Sequence, residues 1–321
     1  MLLRYLSYIS VIAISFFFLF LYGFYRVLDK DFTSASSVTS DDMSSNALNV
    51  YLYASTEESL DATPAKLSKL ILLVVDKPEQ NISVIDIPVT YEIDLPGKFG
   101  REPLLNAFAL GELTDQTPLE GGSSLLVNAL QQMTALKIDR YFVVDSLLSE
   151  EFSSSLVSEK TGFSVPLVLK NYKDSIATNM TLGEFYTLRT SLGQMTRALV
   201  SYDEDNIDLT IKDITFDTPM ALEGASIAIL NGNDVPNAAS FGSRVVKNIG
   251  GRVIDVENAK QVYDVSYLVV DDKTSLTANY LVSFFNIKRV LSRQEASFLG
   301  ESVIDRSDIT LIMGLDIKDR L

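Results

Sequence analysis

The chain has 321 residues, is 47% hydrophobic and carries a formal net charge of −15. It has no His, no Cys and no Trp, which excludes Ser-His-Asp and Cys-His chemistry, imidazole acid–base catalysis, HExxH zinc sites, thiolate ligands and disulfides. Residues 46–220 hold 13 Lys and Arg against 25 Asp and Glu, and residues 222–321 hold 11 against 13, so neither region has the charge of a nucleic-acid binder.

Tyr5 to Tyr25 contains no charged residue. As a helix this run is about 31 Å long, the thickness of a bilayer core. Arg4 and Arg26 bracket it, and Tyr5, Tyr8, Tyr22 and Tyr25 sit at its ends as interface anchors. It is longer than a signal-peptide core and no A-x-A-like site follows, so residues 1–28 read as a retained transmembrane helix. Residues 29–46, rich in Ser, Thr and Asp, read as a tether. They place the protein in the cell membrane as a single-pass chain with its C-terminal domains extracytoplasmic.

Residues 47–218 form the first globular region. Asn49–Ala54, Leu70–Val75 and Ile82–Pro88 read as strands, the last two joined by a hairpin at Lys77–Asn81. Pro88 ends the third strand, and a loop runs on to the turn signal Pro96-Gly97. That loop follows Asp86, carries Glu92 and Asp94, and has no basic residue before Lys98, which makes it a poor phosphate clamp. Gly121–Leu136 reads as a helix, Tyr141–Val144 as a strand, Leu147–Lys160 as a helix and Val165–Leu169 as a strand. Thr181–Val200 has Leu182, Phe185, Leu188, Leu192, Met195 and Leu199 at helical steps. One helix is expected there, with Arg189 and Arg197 sharing a face. Ile207–Phe216 reads as extended, and Asp217-Thr218-Pro219 as a linker.

Residues 222–319 form a second unit. Ala225–Leu230 is a strand, stopped at Asn231-Gly232, a turn signal. Pro236 suits the first turn of a helix running to Asn248, and Gly250-Gly251 closes it. Strands follow at Arg252–Val256 and Val265–Val270, then a helix at Leu276–Phe285 and a strand at Ile309–Met313. The order βαββαβ implies two helices against one small mixed sheet.

The segments ILNGNDVPNAAS (229–240), Gly250-Gly251 into RVIDV, SYLVVDD and DITLIMGLD (308–316) resemble the C-terminal domain of LytR proteins. The first region resembles the LytR-CpsA-Psr catalytic domain in ILLVVDKPEQNISVIDIP, the turn DLPG (94–97), LLNAFALGE (104–112), the Gly121-Gly122 helix start and IDRYFVVD (138–145). The resemblance implies transfer of glycopolymers from a polyprenyl-pyrophosphate carrier to the bacterial cell wall with a divalent cation. It also implies an Arg and then an Asp after the strand-ending Ile-Pro, where this chain has Val89 and Thr90. A basic residue is implied before the Asn-Ala segment, where Leu104 and Leu105 stand before Asn106. A glycine-rich segment after the YFVVD strand is absent, with Lys160-Thr161-Gly162-Phe163 standing near its place. Arginine donors grip a pyrophosphate bidentately and steady the charge of its transition state, so their replacement points to reduced or lost catalysis.

The ligand-binding candidates are Arg101, Asn106, Arg189 and Arg197; no catalytic residue is assigned. Each has a plainer reading: Arg101 a solvated residue, Asn106 a cap or buried hydrogen-bonder, Arg189 and Arg197 the polar side of a helix. Arg140 beside Asp139 reads as a surface pair. Gly121-Gly122-Ser123 reads as an anion-facing turn or an ordinary cap, and Asp86, Glu92 and Asp94 as a divalent-cation site or solvated carboxylates.

The expected architecture is α/β: a transmembrane helix, an α/β domain with a central mixed sheet, and the small βαββαβ domain. The expected function is a membrane-anchored cell-envelope protein with a binding or accessory role. The alternative is an active phosphotransferase with relocated cations, which requires Arg101 and Arg189 to converge on one groove. A third reading is a structural adaptor that docks a partner through its second unit. No cofactor is assigned outright; Mg²⁺ is expected if the transferase alternative holds. Expected partners are the membrane and a cell-wall polymer, a polyprenyl-linked glycan or an envelope protein, with no nucleic acid.

Overall fold

Strand β1 (Leu48–Thr56) alternates its side chains between two cores. Val50, Leu52 and Ala54 enter one cluster, Tyr51 and Tyr53 the other. The sheet built around it is therefore covered on both faces. The structure, a computed structural model, describes residues 48–60, 64–146, 148–150, 175–202, 206–216 and 218–320. The expected membrane span and tether, the strand at 165–169 and most of the helix at 147–160 lie outside the described residues. Among the described residues, no helix is long and apolar enough to cross a membrane.

β2 (Leu67–Asp76) and β3 (Asn81–Ile87) form the expected antiparallel hairpin, turning through Gln80 at φ 51°. With β6 (Arg140–Val144), β7 (Ile176–Thr178) and β8 (Thr196–Val200) they make a six-stranded mixed sheet in the order β7-β6-β1-β2-β3-β8. On one face lie the short hairpin β4 (Glu92–Leu95) and β5 (Gly100–Pro103), then α1 (Ala107–Thr114) and α2 (Pro118–Thr134). Leu104, Phe108, Leu126 and Leu130 are fully buried there. The opposite face is covered by α3 (Leu182–Gln194) through Leu188 and Leu192.

Two expectations fail here. The helix expected over Thr181–Val200 stops at Gln194, because Met195 is extended (φ −93°, ψ 152°). The Thr196 N–H then donates to the Gln80 carbonyl at 3.0 Å, and the chain pairs with β3 as a sixth strand. Ladder pairing along the open edge of β3 outweighs the helical spacing, and Leu199 is left 71% exposed. Conversely, Ile207–Thr215, expected to be extended, is a helix, α4, with Ile207, Ile211 and Ile214 on the first core.

A short helix α5 (Thr218–Glu223) leads to the second sheet. This has the order β10-β9-β13-β11-β12, from β9 (Ser226–Asn231), β10 (Arg252–Asn258), β11 (Tyr267–Val270), β12 (Arg289–Leu291) and β13 (Ile309–Met313). Both helices, α6 (Ala238–Asn248) and α7 (Leu276–Phe285), pack on one face as the βαββαβ order implies. β12 is an edge strand that the sequence reading lacked. The other face is covered by 3-10 turns at Glu295–Leu299 and Ser302–Asp305.

The two units meet at the end of α2. A helix leaves its last four carbonyls without intrahelical partners, and here all four are satisfied. Ala135 N–H donates to Gln131 O at 2.8 Å. Arg244 of α6 donates to Gln132 O at 3.2 Å and Met133 O at 2.8 Å, and Asn248 donates to Thr134 O at 3.0 Å.

Candidate functional site

The loop leaving β3 is tied down by its own backbone. Tyr91 N–H closes a turn on Pro88 O at 3.1 Å, Leu105 N–H donates to Val89 O at 2.8 Å, and Leu104 N–H to Tyr91 O at 2.9 Å. Val89, where the resemblance implies an arginine, packs half-buried on the first core, and Thr90 is exposed. The mouth of this loop therefore presents an apolar side chain and a hydroxyl where a clamp would need a guanidinium.

Beside it runs a cleft of about 280 Å³ lined by Tyr91, Glu92, Asp94, Arg101, Gln132 and Arg244, among others. A neighbouring hollow of about 340 Å³ shares Asp94, Gln132 and Arg244 and reaches Phe241 at the start of α6. Both cations are occupied. Arg101 pairs with Glu92 at 3.3 Å, with both side chains mostly exposed, an arrangement worth about 0–1 kcal/mol. Arg244 grips Asp208 at 2.6 and 2.9 Å besides its two carbonyls. With Asp94 added, the cleft carries no surplus of positive charge. The Gln132 side-chain oxygen is buried there without a hydrogen-bond partner among the described residues. Arg244 was not a sequence candidate: its partners are 36 residues or more away in the chain, so no local pattern marks it.

The four candidates do not gather. Asn106 donates to Glu102 at 2.9 Å and gives no side-chain cap to α1. It is the hydrogen-bonder of its plainer reading and not the cap. Arg189 lies half-buried on α3, across the sheet from the hairpin that carries Arg101. The convergence of Arg101 and Arg189 required by the relocated-cation alternative is absent. Arg197 is on β8 rather than on a helix with Arg189; it lies opposite Ile82 near the start of β3 and donates to Leu192 O at 2.6 Å.

Other readings are corrected by packing. Arg140 is not a surface residue. It is 5% exposed and binds Glu184 of α3 at 2.5 and 3.0 Å, fixing that helix to β6. Glu184 also completes a capping box with Thr181. Gly121 and Gly122 lie within the first turns of α2 and not at its cap, and the Gly121 N–H already donates to Thr117 O at 2.9 Å. α2 begins at Pro118, and a Cβ on Gly121 would stand 2.5 Å from Gly111 O, so these glycines let α1 and α2 touch. Asp86 alternates with Ile85 and Ile87 of the first core, on the side of the second, whereas Glu92 and Asp94 belong to the hairpin on the first. Among the described residues no three acidic groups gather as a metal site.

Two buried carboxylates are shifted: Glu112, which the sequence reading did not single out, and Asp139, which it read as half of a surface pair. Burial pushes Glu112 up, against the pull of the Ala65 N–H that donates to it at 2.7 Å. Burial also pushes Asp139 up, despite the Val50 N–H at 2.8 Å and the charges of Lys137 and Arg140.

No family model matches the chain, and no curated protein does. Among solved structures, the chain is similar to Bacillus subtilis TagT, at 11% identity and TM-score 0.37, covering 57% of this chain and 95% of that one. It is similar to a transcriptional regulator from Enterococcus faecalis at 10% identity and TM-score 0.40, covering 55% and 89%. A third is the LytR-CPS2A-psr family protein YwtF (TagT) with bound octaprenyl pyrophosphate lipid, at 11% identity and TM-score 0.38, covering 57% and 94%.

Proposed function

We propose that this chain is a membrane-anchored, extracytoplasmic cell-envelope protein related to the LytR-CpsA-Psr glycopolymer transferases. Its transfer activity is reduced or lost, and its retained role is binding or accessory. Residues 1–28 anchor it, 29–46 tether it, 47–218 form the divergent catalytic domain and 222–319 a LytR C-terminal-like domain.

One observation carries this reading: the cations at hand do not form a clamp. Val89 and Thr90 stand at the loop mouth, Arg101 has Glu92 and Asp94 as neighbours, Arg244 is held by Asp208 and two carbonyls, and Arg189 and Arg197 lie on other elements. A pyrophosphate brings concentrated negative charge, and removing one electrostatic donor from such a transition state costs about 3–4 kcal/mol. The acidic residues Glu92 and Asp94 oppose that charge further.

Transfer is tested with the full chain in detergent, a labelled glycan on a polyprenyl-pyrophosphate carrier, peptidoglycan acceptor and Mg²⁺. The expected result is label transfer that stays below one turnover per protein molecule. Mg²⁺-dependent transfer with multiple turnovers contradicts the proposal.

A further inference from the structure

β10 is an outer strand of the second sheet, and its free edge runs seven residues, Arg252–Asn258. It is the longest open sheet edge among the described residues: β7 and β12 have three residues each and β8 has five. An outer strand leaves alternate backbone N–H and C=O groups unpaired, a template for another strand. Ile254 and Val256 lie along this one 43% and 41% exposed, and no proline interrupts it.

The strand carries a bulge. Arg252 and Val253 stand opposite Ser226 and Ile227 of β9, and Asp255 stands opposite Ala228, so Ile254 is an extra residue. The bulge shifts the alternation of side chains by one. Arg252 and Asp255, three apart in sequence, therefore share the face of Ala228, while Val253 takes the other face with Ile227. In a regular strand, residues three apart lie on opposite faces.

That phase makes the edge complementary to itself. A second copy of β10 laid antiparallel, with a twofold axis at Val253, sets Val253 against its own counterpart. Arg252 of each copy then faces Asp255 of the other, on one side of the joined sheet. The interface is isologous, and each opposite-charge pair sits where cross-strand pairs stabilise a ladder. Oδ2 of Asp255 has Arg306 of its own chain at 3.5 Å, so the carboxylate would lie between two guanidiniums. Charges on an edge ordinarily keep other strands away. Charges of one sign would do so here, whereas an Arg and an Asp at matched positions select one partner, one direction and one register. The net charge of −15 opposes association at long range, so the pairing is reversible.

We propose that the free edge of β10 docks a second copy of this chain, joining two five-stranded sheets edge to edge through the Arg252–Asp255 pairs. Such pairing is independent of any transfer activity.

The test is disulfide capture. The chain has no Cys, so Val253→Cys introduces a single thiol. Opposed residues of an antiparallel pair have Cα atoms about 4.5–5.5 Å apart, within the reach of a disulfide. The full chain in detergent carrying Val253→Cys should oxidise to a covalent dimer. The chain carrying Thr196→Cys instead, exposed on the edge of β8, should stay monomeric. Added to Val253→Cys, Arg252→Glu and Asp255→Arg should each cut the dimer yield about tenfold or more, because like charges then stand face to face. Mixing these two variants should restore it, since each meets the opposite charge at both positions, and recovery in the mixture shows that both are folded. The assignment is overturned by a Val253→Cys yield no higher than that of Thr196→Cys, by charge variants that dimerise as readily as Val253→Cys alone, or by a mixture no better than its components.

Discussion

Arg244 and Asp208 meet through two short bonds, at 2.6 and 2.9 Å, and the same guanidinium closes the C-terminus of α2. One side chain of the second unit thus serves as helix cap and as ion-pair partner for the first. A cation there also complements the partial negative charge of the helix end.

Arg244→Ala should lower global stability by about 1–3 kcal/mol, the range for hydrogen bonds to a charged group. Arg244→Lys should restore only part of this, since an ammonium cannot span a carboxylate and two carbonyls with one planar fork. Urea unfolding of the three proteins checks it; an Arg244→Ala midpoint equal to the parent's would show that the cap contributes nothing.

Breaking the Arg140–Glu184 pair should be costly. Glu184→Ala takes from the buried Arg140 its Glu184 carboxylate and leaves it the Asp139 carbonyl, a loss of up to about 3–5 kcal/mol. The double variant Arg140→Met, Glu184→Gln removes the buried charge and should recover part of the loss. Equal stability of the single and double variants would contradict this.

Glycine substitutions separate contact from conformation. A Cβ on Gly111 would stand 2.3 Å from Gly121 O, a backbone atom that cannot swing away. Gly100 has open space but φ +73°. Gly111→Ala should therefore cost about 1–3 kcal/mol by overpacking, and Gly100→Ala only about 1 kcal/mol or a little more. Thermal melts rank the two, and the reverse order would be incompatible with the α1–α2 contact.

Two carboxyls should titrate with opposite effects on stability. Burial raises the folded pKa of Glu112 above its unfolded value, so the folded chain holds the extra proton between the two. Its unfavourable contribution is complete above the folded pKa and vanishes below the unfolded one. Glu112→Gln should then be more stable than the parent at neutral pH, with the gap closing on acidification. The Asp308 carboxyl is held down by the Ser226 hydroxyl and N–H. Its contribution is complete above the unfolded pKa and is lost as pH falls through the folded one. Asp308→Asn should be less stable at neutral pH and converge with the parent in acid. Denaturant midpoints across pH 3–8 read both signs.

The strands around β2 and β3 and the helix before Gly250 were legible because composition, period and turn chemistry agree there. The exchange of helix for strand at Thr196–Val200 was not, because the open edge of β3 lies more than a hundred residues earlier in the chain. The helix over Ile207–Thr215 did show apolar residues at four- and three-residue steps, masked by β-branched isoleucines that favour strands. Arg140 looked solvated beside Asp139, since its true partner, Glu184, arrives from 44 residues away. At the loop after β3 the sequence was informative about the missing cation; the cations that line the cleft beside it, Arg101 and Arg244, are each paired with a carboxylate.

The most direct measurement is binding of polyprenyl pyrophosphate by the full chain in detergent, with and without Mg²⁺. Loss of the clamp predicts weak binding that Mg²⁺ does not strengthen. Tight, Mg²⁺-dependent binding abolished by alanine at Arg101 would contradict it.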